Sequence, residues 1–276
     1  MLTATLMALG AACLHAGWNL AVKRNVDSGL ALSGQFFIAM FVASGVLVTW
    51  AIVGNGPSFA WQYTLLSGIT HLPYTMLLAR AYGTGDFSVA YPIARGGGAV
   101  GAAVLGVLLL DDVLSPLTVA GIVIAATGFF LLSRGSLRQM RFALATAVII
   151  GMYTAIDATG VRQSADPAAY ALSIFVTTGL SVSAWTFATR RREAVSAMRQ
   201  QWPQFTFAAV GTLGSYCLVL LAMRRAPVGY VAVLRESSVL IAAFAGWKLL
   251  GEADHRRRIS GAVVVLVGLA ALVAGG

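Results

Sequence analysis

The stretch FSVAYPIARGGGAVGAAVLGVLLLDD, Phe87 to Asp112, is long and apolar enough to cross a bilayer. It nevertheless carries Pro92, a lone Arg95 and the run Gly96-Gly97-Gly98, and it closes on two aspartates. About 20 apolar residues cover the hydrocarbon core, and an arginine inside such a span is costly enough to mark a functional position. The same signals recur 140 residues later: Arg95 falls on Arg235, Asp112 on Glu252, Gly121 on Gly261 and Gly128 on Gly268. Four matches at one offset point to a duplicated chain. The copies have diverged, with Ala232 at the position of Pro92 and Ser238 at that of Gly98.

Composition sets the class. The chain is 58% hydrophobic and 11% charged, with a mean hydropathy of +0.81, against roughly 25% charged residues in a soluble domain. This is the composition of an all-α integral membrane protein. The net charge of +9 sits in short clusters between apolar runs. That is the pattern of cytoplasmic loops under the positive-inside bias and excludes a nucleic-acid partner. Cys13 and Cys217 lie in apolar segments and read as small buried hydrophobes rather than a disulfide framework. The three histidines, at 15, 71 and 255, are too scattered for a metal site. With no phosphate loop or nucleotide motif, no cofactor is expected. The first 22 residues lack the basic start of a signal peptide and read as a spanning helix.

Matched to a 20-residue template, the chain divides into ten spans, near 2–22, 30–53, 61–82, 86–109, 114–133, 142–161, 168–189, 205–223, 228–248 and 259–275. The offset splits them into five plus five, residues 1–138 and 139–276. Because five is odd, the second half enters the membrane from the opposite side, which makes the repeat an inverted one. Charge gives an independent check. The loop after the second span has no cation, whereas its counterpart after the seventh holds Arg190, Arg191, Arg192 and Arg199. Loops on one side carry 14 of the 19 basic residues and loops on the other carry 3, namely Arg162, Arg224 and Arg225. The positive-inside rule puts the 14 in the cytoplasm and both termini outside.

These features together resemble the EamA-type members of the drug/metabolite transporter superfamily. The resemblance rests on the two five-helix repeats and on the first-helix pattern LHAGWNLAVK (Leu14–Lys23). It rests also on a block in each half of an acidic residue, a short loop and a Gly-x6-Gly helix: Asp112, Gly121, Gly128, then Glu252, Gly261, Gly268. The first block departs from the family, with Asp112 where a Gly-Glu pair is common; the second keeps Gly251-Glu252. The resemblance implies a transporter, often an exporter, in the cell (inner) membrane, with a cavity between the halves. It names no substrate. Members are often drawn with both termini cytoplasmic, opposite to the charge count.

Ionisable residues inside spans are the site candidates. Arg95 and Arg235 each lie near mid-span, where two arginines could clamp a carboxylate or phosphate; equally, Asp157 and Glu236 could neutralise them and staple helices. His15 and Asn19 share a helix face, with Trp18 beside them, and Tyr153 and Asp157 repeat that spacing in the second half. Tyr91 adjoins Pro92. His71, Tyr74, Tyr216, Ser237 and Ser238 extend the polar faces. Asp112 and Glu252, at span ends, read as capping or pairing residues. Gly97 and Gly101 form a GxxxG face for close packing, and Pro92 with Gly96, Gly97 and Gly98 reads as a hinge. The expected protein is an alternating-access transporter of a small polar or zwitterionic metabolite, with protons as the candidate coupling ion and a homodimer as a candidate assembly. The alternative is a channel or a membrane sensor. An intramembrane enzyme is excluded because no histidine lies with Ser237 and Ser238 in the membrane part of their half.

Overall fold

The computed structural model describes residues 1–22, 27–54, 56–83, 87–132, 137–238, 240 and 255–275; side chains are described for these except 18–22, 28, 82–83, 87–92, 132, 137–139 and 255–259. The described residues form nine helices and no strand: α1 (Leu2–Val22), α2 (Ser28–Val53), α3 (Trp61–Gly83), α4 (Phe87–Leu109), α5 (Pro116–Leu132), α6 (Leu137–Gln163), α7 (Pro167–Met223), α8 (Val228–Arg235) and α9 (His255–Gly275). Seven of the helices follow expected spans one for one; α7 takes in both the seventh and the eighth, and α8 opens the ninth.

The linker expected between those two spans is helical because residues 191–200 are mostly good helix formers. The axis breaks on either side of it, at Arg190 (φ −138°, ψ 37°) and Gln201 (φ −128°, ψ 15°). The second break precedes Pro203, whose ring cannot continue a helix without losing a backbone bond. The ninth expected span also differs. Its helix breaks after Arg235 into three-residue turns, with the N–H of Glu236 on Val233 O at 3.1 Å and that of Ser237 on Leu234 O at 3.2 Å, and Ser238 and Leu240 are again helical. Trp247, Gly251 and Glu252 lie outside the described residues.

The pattern of burial is that of a bundle in lipid. Alanines fill the interior, among them Ala8, Ala11, Ala43, Ala102, Ala125 and Ala171, while Phe41, Val48, Ile52, Leu108, Val123 and Phe207 face outward. Lipid is as apolar as leucine, so small residues that permit close backbone approach hold the helices together. The clearest case is α5 against α9. A Cβ on Gly121 would lie 2.7 Å from Gly268 O, and one on Gly128 would lie 3.0 Å from Gly261 O. The register runs antiparallel and uses the four glycines of the two Gly-x6-Gly blocks. On α4, Gly97 meets Ala147 and Gly101 meets Gly151 of α6, in parallel register.

Both chain ends reach one face of this bundle. Thr5 Oγ1 and the Tyr230 hydroxyl are 2.7 Å apart, and Ser115 Oγ donates to Gly275 O at 2.7 Å.

Candidate functional site

Helices α3, α4, α6, α7 and α8 bring their polar residues to one buried region. Asp157 of α6 is fully buried and stands six residues before the helix end. Its carboxylate accepts from the Tyr216 hydroxyl and, at 3.3 Å, from the Tyr170 hydroxyl, both on α7. Ser67 of α3 also reaches it. A carboxylate in a nonpolar interior needs such donors, and two phenols supply them without adding charge.

An aromatic cluster adjoins the carboxylate. The His71 ring lies 4.3 Å from that of Tyr153, 5.8 Å from Tyr74 and 6.4 Å from Tyr216, centre to centre. One imidazole nitrogen, Nδ1, is 2.9 Å from Ser67 O and 3.3 Å from its hydroxyl. The rings come from both halves of the chain, His71 and Tyr74 from the first and Tyr153 and Tyr216 from the second.

The two arginines take different roles. Arg95 of α4 grips Glu236 through two parallel bonds, Nε to Oε2 at 3.1 Å and Nη2 to Oε1 at 2.6 Å, with both side chains buried. This bidentate geometry is that of an arginine paired with a protein carboxylate. Arg235 is likewise buried, yet its Nε has no hydrogen-bond partner and no carboxylate lies within salt-bridge distance among the described residues. Its guanidinium carbon instead stands 5.5 Å above the centre of the Tyr216 ring.

Of the remaining expected residues, His15 is buried in α1 and Tyr153 belongs to the aromatic cluster. The side chains of Trp18, Asn19, Tyr91 and Pro92 lie outside the described ones. The backbone of α4 is helical throughout Phe87–Leu109, so the interruption seen in this structure is in the second copy, after Arg235, rather than at Pro92–Gly98. Gly96 and Gly98 are pressed against Phe129 and Ile150, so packing alone accounts for the absence of their side chains. Tyr170 was not foreseen at all: near a helix end it has the signature of an interfacial-belt tyrosine.

Several contacts between the halves lie at the face that holds the termini. Asp112 pairs with Arg162 Nη1 at 2.8 Å and accepts from the Val228 N–H at 2.6 Å; within its own half, Arg162 Nε also donates to Met223 O at 2.9 Å. Beside them, Ser58 N–H donates to Asp166 Oδ2 at 2.7 Å, and Ala60 N–H to Ser164 Oγ at 3.0 Å. The opposite face has the exposed pair Asp27–Arg190 at 3.0 Å.

Apolar helices wrapped around buried ionisable groups define an integral membrane protein with a polar interior. Residues 138–274 match the EamA-like transporter family. The second half of the chain therefore carries an EamA family domain, consistent with a membrane transporter of the drug/metabolite type. Among solved structures, one described only as the crystal structure of a protein superposes with a TM-score of 0.78, over 97% of this chain and 95% of its own, at 18% identity. At that identity the likeness carries the fold alone. No curated protein matches in sequence.

Proposed function

We propose that the chain is a secondary transporter that moves a small polar or zwitterionic metabolite by alternating access, with export as its direction. The site lies between two inverted five-helix halves, 1–138 and 139–276. The observation that carries this reading is the convergence of Asp157, His71, Tyr153, Tyr216 and Arg235 in the interior of a bundle whose outside is apolar. Groups so costly in a membrane are kept for substrate or ion passage. The antiparallel α5–α9 pair, built from corresponding glycines, supports the inverted relation. Asp157 is the candidate proton carrier, since protonation would exchange its acceptor role toward two tyrosines for a donor one, and His15 is a second candidate. The bonds from Asp112 and Ser58 across the halves fit a bundle closed at the face of the termini. Movement of α4 on its glycine surface, with Pro92, Gly96, Gly97 and Gly98 as hinge, would open it.

Counterflow of labelled metabolites in proteoliposomes tests the reading. Saturable exchange, lost in Asp157→Asn, is the expected result. Flux that never saturates would identify a channel, and binding without flux a sensor.

A further inference from the structure

We propose that Arg235 and Ser238 form an anion site, and that the transported molecule carries a carboxylate or phosphate that docks there. This deepens the transporter reading and rests on it. Arg235 Nε and Ser238 Oγ are both buried and both lack a hydrogen-bond partner among the described residues. They stand three positions apart on a segment whose backbone bonds run from residue i to i−3, and in that geometry positions i and i+3 lie one above the other. Two unsatisfied donors therefore share one side of the chain, where each costs free energy until an acceptor arrives.

The charge balance points the same way. Two arginines are buried among the described residues, and the Glu236 carboxylate is spent on Arg95 through both its oxygens. Asp157 is engaged by tyrosine hydroxyls rather than by a cation. Among the described residues, the positive charge of Arg235 meets the face of the Tyr216 ring and no carboxylate, a contact that is small beside the cost of burying a guanidinium. An anionic group would complete the site through the Arg235 fork and the Ser238 hydroxyl. The body of the ligand would lie along the Tyr216 and His71 rings.

The test uses the purified full chain in detergent, with thermal stability read against benzoate, inorganic phosphate and benzylamine. A ligand of the folded form raises the melting temperature. Benzoate or phosphate is expected to raise it in the parent protein and in Arg224→Gln, an exposed control, but not in Arg235→Gln, with a reduced rise in Ser238→Ala. A response to benzoate alone assigns a carboxylate, and to phosphate alone a phosphate ester. Stabilisation by benzylamine only, no response to either anion, or an anion response unchanged in Arg235→Gln would overturn the site. If Arg235→Gln does not fold, Arg235→Lys keeps the charge without the fork and is expected to bind at least tenfold more weakly; an unchanged affinity there would also count against it. Binding is read apart from transport. An unchanged anion response in the Arg235 variants removes the anion site while leaving the transporter intact, whereas binding without counterflow in the parent protein removes the transporter.

Discussion

A buried ion pair depends on both of its members, and Arg95–Glu236 has no solvent to fall back on. Removing one partner leaves the other charge uncompensated, which costs about 3–5 kcal/mol, while replacing both by apolar residues is often neutral. Arg95→Met should therefore lower thermal stability sharply in detergent, and Arg95→Met with Glu236→Leu should recover most of the loss. Additive losses in the double variant would mean that the two residues act separately. The two arginines were legible in the sequence because a charge inside an apolar span is conspicuous and both fall at one offset. Their division of labour was not legible. Glu236 follows Arg235 in the chain but turns to α4, a choice set by helix packing that adjacency does not encode. Asp157 was likewise visible and Tyr216 was read as part of a polar face, whereas Tyr170 looked like an ordinary membrane tyrosine until the fold brought it to the carboxylate.

At the scale of elements, glycines decide which helices can touch. A Cβ on Gly268 would collide with the backbone of Ala125, and backbone cannot rotate away as a side chain can. Gly268→Ala should force α5 and α9 apart, cost at least the roughly 1–3 kcal/mol of an overpacked core, and reduce the yield of folded protein. Gly45→Ala, with nothing within 4 Å, should be harmless; equal effects in the two variants would remove the packing account. The start of α2 offers a pH test. Asp27 accepts from the Gly29 and Leu30 N–H groups at 2.9 and 3.2 Å and pairs with Arg190. The bond to Arg190 chiefly, and those N–H groups, hold its carboxyl below the usual range. A depressed folded pKa gives stability that is present above the unfolded value near 4 and lost as pH falls through the folded one. The pair is exposed, so its share is roughly 0.2–1 kcal/mol, with about 1 kcal/mol more for the cap. Asp27→Ala should therefore melt lower than the parent protein at pH 6, with the gap narrowing toward pH 3. A gap independent of pH would remove the charge from the account. The glycines of the α5–α9 contact stood out in the sequence as the two Gly-x6-Gly blocks, but nothing there paired one block with the other. The helical linker in α7 was not, because its charges read as a loop while its propensities favour a helix.

For the whole molecule, the remaining question is which face is which. The contacts of Thr5 with Tyr230, Ser115 with Gly275 and Asp112 with Arg162 gather both termini and the cation-poor connections at one face. Asp27 and Arg190 sit with the arginine-rich segment at the other. An even number of crossings follows from the shared face of the termini, whatever the orientation. The bias of 14 basic residues against 3 predicts the direction, because cations near short loops resist translocation. A periplasm-dependent phosphatase fused after Gly276 should be active, and a fluorescent protein at the same point dark. The reverse result would turn the bundle over without altering a single internal contact, and it would bring this chain into line with the orientation often drawn for its family. It would also change the mechanism. Under the proposed alternating access, the bonds that join the halves at the face of the termini, Asp112–Arg162 and Ser58–Asp166, would then have to break to open the cytoplasmic side rather than the outer one, and Asp27–Arg190 to open the other.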